Sequence, residues 1–112
     1  PHGLSNAIVL PYVLRFNIKD QNAAQLYSEI APIIFPEMEN STSAQDISTK
    51  FIENLSKLSS NLGLEQRLRD VGIPENACES MTKDAMKQTR LLINNPKEIT
   101  ENDAYDIYKS AW

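Results

Sequence analysis

The segment from Leu4 to Phe16 constrains the fold more than any other part of the chain. Nearly every position in it is apolar, so a helix formed here would be apolar on all sides. Such a helix is normally buried inside a larger protein, whereas most helices of a 112-residue domain keep one face in water. A buried strand fits less well because of Asn6, Pro11 and the lack of a second strand. We therefore expect a helix whose surroundings include residues absent from this chain.

Helical spacing of apolar residues also recurs in the rest of the chain. The clearest case is 43–62, where one stripe contains Ala44, Ile47, Phe51, Leu55, Leu58 and Leu62. Ser43 suits the N-cap of this helix. Gly63 suits a left-handed C-cap, with Leu64 available for the hydrophobic contact that often follows.

Further helices are predicted at 23–31, about 64–71, 74–88 and 101–111. Pro32 should end or kink the first of these, Gly72 should end the second, and Thr100 suits the N-cap of the last. Loops are predicted at about 17–22, 36–42 and 89–99. The sequence therefore predicts a single all-α domain with five or six helices and no sheet.

Charge, hydropathy and cysteine content exclude several classes of partner. The formal net charge is −4 and no basic face is evident, so we expect no nucleic-acid partner. The longest apolar run, Ala7–Leu14, is far shorter than the roughly 20 residues of a membrane-spanning helix, so we expect no membrane partner. Cys78 is the single cysteine and cannot form an intrachain disulfide, which favours a reducing compartment, the cytoplasm.

Composition and spacing alone point to no reaction. The three glycines are isolated, so no glycine-rich phosphate loop is present. The single histidine, His2, gives no basis for a catalytic triad, and by itself it would usually be a terminal residue without function. Cys78 lies on an apolar stripe, which is typical of a packed thiol rather than a nucleophile. Acidic pairs such as Asp103 and Asp106 are interpreted as solvated surface charge.

The first 17 residues, PHGLSNAIVLPYVLRFN, resemble a segment of the iron-containing (group III) alcohol dehydrogenases. In that family the pattern PHG-x-x-NA-x-x-LP-x-V-x-x-FN opens a buried helix of the C-terminal helical domain. The matching positions are His2, Gly3, Asn6, Ala7, Leu10, Pro11, Val13, Phe16 and Asn17. Tyr12 departs from the His that many members have, which leaves the subfamily and substrate open.

The resemblance continues in the middle and at the end of the chain. It is carried by LRDVGIPE at 68–75, by Asn95-Pro96 and by TENDAYDIYKSAW at 100–112, whereas 36–60 carry little of it. Matches in the right order at the start, middle and end make the resemblance specific to the whole chain.

The resemblance implies a fold and a metal site. Full-length members have an N-terminal nucleotide-binding domain and a C-terminal all-helical domain of the dehydroquinate synthase-like fold, with a metal in the cleft held by one Asp and three His. By resemblance, His2 is the last of these ligands, and the other three lie upstream of Pro1. Residues 1–112 would then be the C-terminal domain of a truncated enzyme, inactive alone. The missing domain would also explain why Leu4–Phe16 is so apolar.

The implied chemistry is reversible hydride transfer between NAD(P)H and an aldehyde or ketone, with a small-molecule alcohol as the reduced substrate. The divalent metal, iron(II) as first choice and zinc as second, would act as a Lewis acid on the substrate oxygen. We also expect a homo-oligomer.

Two alternatives stay open. The first is a stand-alone helical interaction module, descended from such a domain, that binds a partner through its apolar first helix. A module free of catalytic demand would need neither the His2-Gly3 pair nor the apolar surface that follows it. The second is a domain from the related dehydroquinate or glycerol dehydrogenase branches, which the Asn6-Ala7 and Ala111-Trp112 matches disfavour.

Overall fold

A computed structural model shows how these segments fold. It describes residues 2–38 and 43–112, and their side chains except those of residues 2–4, 90 and 91. The described residues contain α1 (His2–Asn17), α2 (Gln21–Ile34), α3 (Ala44–Asn61), a 3-10 helix (Leu68–Val71), α4 (Ala77–Met86), α5 (Thr89–Asn94) and α6 (Glu101–Ala111). Because no strand occurs among them, the prediction of an all-α fold is confirmed.

The predicted N-caps form as the residue types require. The Ser43 hydroxyl accepts a hydrogen bond from the backbone N–H of Asp46 at 3.3 Å. At the start of α6, Thr100 and Asp103 form a reciprocal capping box, in which each side chain accepts a hydrogen bond from the other residue's backbone N–H. These bonds satisfy donors that would otherwise have no partner at the first turn of each helix.

Both predicted left-handed C-caps are also present. Gly63 follows α3 with φ of 79°, and Gly72 follows the 3-10 helix with φ of 83°. Side chains with a Cβ rarely adopt this backbone conformation, so glycine allows the chain to reverse there at little cost. The N–H of Ile73 then donates to the carbonyl of Leu68 at 3.2 Å and closes the turn.

The structure corrects the prediction that Pro32 ends the helix at 23–31, whereas the alternative, a kink at Pro32, stays a prediction. Helix α2 continues through Pro32 to Ile34. Proline removes only one backbone donor, and here it lies in the last turn, where few further bonds depend on it. The N–H of Phe35 still donates to the carbonyl of Ala31 at 2.8 Å, so the final turn closes around the proline.

Two other predictions were wrong. Only the 3-10 helix Leu68–Val71 forms within 64–71, since Leu64 is exposed and Leu68 is the one buried anchor of the segment. Helix α5 occupies part of the loop predicted at 89–99. A six-residue helix spans fewer than two turns, so its sequence shows little helical periodicity. Such a short helix also has weak intrinsic stability and depends on its surroundings.

Helix α1 is packed by its own chain more than its composition suggested. It contacts α6, α3 and the 3-10 helix, and Ile8, Val9 and Phe16 are buried. Leu10 remains 50% exposed, so one side of the helix is uncovered within the described residues. None of the described helices is long and apolar enough to cross a membrane.

A second core joins α2 to α3. Its buried members are Tyr27, Ala31, Phe51 and Ile52. The ring centroids of Phe51 and Phe35 lie 5.9 Å apart in an edge-to-face arrangement, which is a favourable geometry for two aromatic rings. The predicted stripe of α3 is only partly buried, because Leu58 in the last turn and Leu62, which caps the helix, are 48% and 68% exposed.

Candidate functional site

His2 is the first residue of α1, and its side chain lies outside the described side chains. The role predicted for its imidazole therefore stays a prediction. What the structure does show is how the rest of α1 is held. That packing determines where the first turn of the helix can lie.

The segments that carry the family resemblance meet in one hydrophobic core around α1. Its buried members are Ile8, Val9, Phe16, Leu68, Ile107 and Ala111. Packed against them are Tyr12, Val13, Val71, Ile73, Met81, Ile99, Tyr108 and Trp112. The start, middle and end of the chain thus pack together.

A buried polar network holds the C-terminal end of α1. Asn17 is 2% exposed, and its Nδ2 donates to the hydroxyl of Tyr27 and to Oδ1 of Asn95, each at 3.0 Å. Asn95 Nδ2 donates back to Oδ1 of Asn17 at 2.7 Å and to the carbonyl of Lys97 at 2.6 Å. The ammonium of Lys97 lies 4.9 Å from the ring centroid of Phe16. The end of α1 is therefore tied to α2 and to the loop after α5.

The last residue of the chain ties α6 to the turn between the 3-10 helix and α4. Trp112 Nε1 donates to the carbonyl of Ile73 at 2.8 Å, and the guanidinium of Arg69 lies 5.3 Å from the indole centroid. Close by, Lys109 Nζ is 2.7 Å from a carboxylate oxygen of Glu75. The hydrogen bond to Glu75 raises the pKa of Lys109, so the ammonium stays charged.

A family model described as "Fe-containing alcohol dehydrogenase family, C-terminal" matches residues 1–112. The chain belongs to the Fe-containing alcohol dehydrogenase family.

Two alcohol- and aldehyde-converting enzymes are also similar in sequence to this chain. Long-chain-alcohol dehydrogenase 1 of Geobacillus thermodenitrificans is 32% identical over 115 residues, which cover 99% of this chain and 27% of that protein. Lactaldehyde reductase of Escherichia coli strain K12 is 30% identical over 112 residues, covering 100% of this chain and 28% of that enzyme. The chain thus spans just over a quarter of these relatives.

Solved structures support the fold assignment. The chain superposes on a crystal structure of 1,3-propanediol oxidoreductase with a TM-score of 0.85 and 32% identity, covering 100% of this chain and 28% of that one. An alcohol dehydrogenase from Oenococcus oeni gives a TM-score of 0.83 at 28% identity with the same coverage. The helical arrangement is therefore that of a domain found in Fe-containing alcohol dehydrogenases.

The described side chains do not form a metal site by themselves. Among the described side chains, no three His, Cys, Asp or Glu groups lie close enough together to hold a metal ion. A neutral imidazole from His2 is chemically suited to iron(II) or zinc, but such sites need three or four protein ligands. His2 as a metal ligand stays a prediction, and the described side chains do not supply a set of three further ligands.

The remaining candidate residues are explained by packing. Cys78 is fully buried on α4, and burial raises the pKa of its thiol, which disfavours the reactive thiolate. The carboxylate of Asp103 is used in the α6 cap, and Asp106 is exposed.

Sequence reasoning missed the Asn17–Asn95 pair. The two residues are 78 positions apart, so no local spacing connects them. Both lie in segments that carry the family resemblance, the Phe16-Asn17 and Asn95-Pro96 dipeptides. That coincidence was the one signal that could have suggested a contact between them.

Proposed function

We propose that residues 1–112 form the C-terminal helical domain of an oxidoreductase that transfers a hydride between NAD(P)H and a small aldehyde or ketone. The family membership of the whole chain supports this proposal. So does the coverage of the relatives, because their remaining length is sufficient for a nucleotide-binding domain. The 112 residues by themselves contain no glycine-rich phosphate loop and should be inactive.

In this proposal His2 contributes one imidazole to a divalent metal, with iron(II) the first choice and zinc the second. When bound, the metal supplies Lewis-acid stabilisation of negative charge on the substrate oxygen. The chain's own contribution is to hold the first turn of α1 in place and to present a neutral imidazole. A neutral ring has one nitrogen free to coordinate and a second to hydrogen-bond a neighbouring group.

The observation that carries the proposal is the core around α1. Two family-like segments, 68–75 and 100–112, pack against the helix that begins at His2, which itself carries the first part of the resemblance. A ligand-bearing helix must be held rigidly, because metal–ligand distances tolerate deviations of only about 0.2 Å. We also propose that the enzyme is a cytoplasmic homo-oligomer, and the unpaired, buried Cys78 thiol is consistent with a reducing compartment.

The test uses the protein encoded by the whole reading frame that contains these residues. Its upstream sequence should include an Asp-x-x-x-His motif and a further His shortly before Pro1. The purified protein should oxidise short alcohols and diols with NAD(P)+, lose that activity with a chelator, and regain it with iron(II) or zinc. A metal-free protein with full activity, or an upstream sequence without those ligands, would contradict the proposal.

A further inference from the structure

We propose that Asn17 sets the rotation of α1 about its own axis and is thereby a positioning residue for His2. This inference rests on the proposed function, in which His2 is a metal ligand. It concerns how a helix with little polar character acquires one defined orientation.

Apolar packing alone specifies the rotation of α1 poorly. Hydrophobic burial is non-directional and depends on the area removed from water. Residues on several sides of α1 are apolar, including the buried Ile8 and Val9 and the half-exposed Leu10. Turning the helix would exchange one apolar face for another, so the change in buried area would be small.

Asn17 provides the missing directional constraint. Its amide nitrogen donates both hydrogens, one to Tyr27 on α2 and one to Asn95 in the loop after α5, and its oxygen accepts from Asn95. Rotation of α1 would move the Asn17 amide away from these partners, and a buried amide without partners is costly. In coiled coils, a single buried Asn likewise fixes the register of otherwise apolar helices.

The geometry of a helix transmits this constraint to His2. Asn17 and His2 are 15 positions apart, which in a straight helix corresponds to about 22 Å along the axis and about 60° around it. Pro11 lies between them, and α1 continues through it from His2 to Asn17. A 20° rotation would displace a side-chain tip about 6 Å from the axis by roughly 2 Å. That displacement is about ten times the deviation that metal–ligand distances tolerate. Loss of the Asn17 bonds should therefore weaken metal binding at the other end of the helix.

The experiment compares zinc affinity among variants of the full-length protein, by competition with a chromophoric chelator. Asn17→Leu removes the amide with little change in volume, and Asn95→Leu removes its partner without altering α1. Each should weaken zinc binding about tenfold or more, in the range seen when groups supporting metal ligands are lost. The double variant should bind zinc no more weakly than Asn17→Leu, because both changes break the same pair.

The matched control is Thr82→Val. It removes a buried hydrogen bond of 2.7 Å from Thr82 to the carbonyl of Cys78, both of which belong to α4. Thr82→Val should lower stability but leave zinc affinity unchanged.

The possible failures are distinguishable. If Asn17→Leu and Asn95→Leu unfold at lower urea concentration but bind zinc like the wild type, Asn17 is only structural and the inference is overturned. If Asn17→Leu does not fold, Asn95→Leu alone decides the question. A folded wild-type protein that binds no zinc or iron would overturn the proposed function and this inference together.

Discussion

Trp112 shows how much a single residue contributes to the packing of this domain. Its indole packs against the core around α1, donates a hydrogen bond to the carbonyl of Ile73 and lies under the guanidinium of Arg69. The hydrogen bond joins positions 39 residues apart, so it stabilises tertiary structure rather than a local turn.

Trp112→Phe should lower the free energy of unfolding by about 1–3 kcal/mol, because the part-buried carbonyl of Ile73 loses its donor while an aromatic ring remains. Urea unfolding followed by circular dichroism measures this. Tyr105→Phe is a suitable control, since Tyr105 is partly exposed and the change should be close to neutral. Equal stabilities for the two variants would show that the indole hydrogen bond contributes nothing.

Asp103 gives a pH-dependent prediction. The backbone N–H of Thr100, and then its hydroxyl, hydrogen-bond the carboxylate and lower the pKa of Asp103. The folded protein therefore binds the proton less tightly than the unfolded chain. The stabilising effect is fully present above the unfolded pKa, about 3.9, and is lost as pH falls through the lower folded pKa.

Asp103→Asn should remove this contribution to the acid dependence of stability. Relative to the variant, the wild type should lose unfolding free energy as the pH falls below about 4. Thermal unfolding at a series of pH values measures the difference between the two proteins. A difference that stays constant from neutral pH to acid would contradict the assignment.

At the level of the helices, the sequence predicted best where long periodic patterns coincide with capping residues. Helices α3 and α6 begin directly after Ser43 and Thr100, as expected, and α3 ends at Asn61, two residues before the left-handed Gly63. Each of these caps is a local interaction, so its signal lies within a few residues. The predictions for α5 and the 64–71 segment failed because tertiary packing, rather than local sequence preference, determines whether such short helices form.

Gly72 permits a test at this level. Gly72→Ala should destabilise the protein by about 1–2 kcal/mol, since alanine is strained in a left-handed conformation. No atom lies within 4 Å of the position a Cβ would take, so the cost comes from the backbone alone. Gly72→Asn should cost less, because asparagine adopts this conformation more readily. Urea unfolding of both variants compares the costs, and equal costs would argue against backbone strain.

For the whole molecule, sequence motifs indicate the family more strongly than they indicate the contacts around α1. The Pro-His-Gly pattern indicated His2, and the apolar first helix indicated a buried position. The sequence did not reveal that Ile8, Val9 and Phe16 are buried by other residues of this same chain. Nor did it reveal the Asn17–Asn95 pair, because long-range pairing of two amides depends on how several helices meet.

The central claim is that His2 is a metal ligand of an Fe-containing alcohol dehydrogenase, and one measurement tests it directly. In the full-length protein, metal content per subunit is measured for the wild type and for His2→Ala, together with dehydrogenase rate and NAD(P)H affinity. In the proposed four-ligand site, loss of one ligand would leave the metal open and mispositioned. The variant should therefore lose most of its metal and most of its turnover while NAD(P)H binding survives. Stoichiometric iron or zinc with near-normal turnover in His2→Ala would contradict the account.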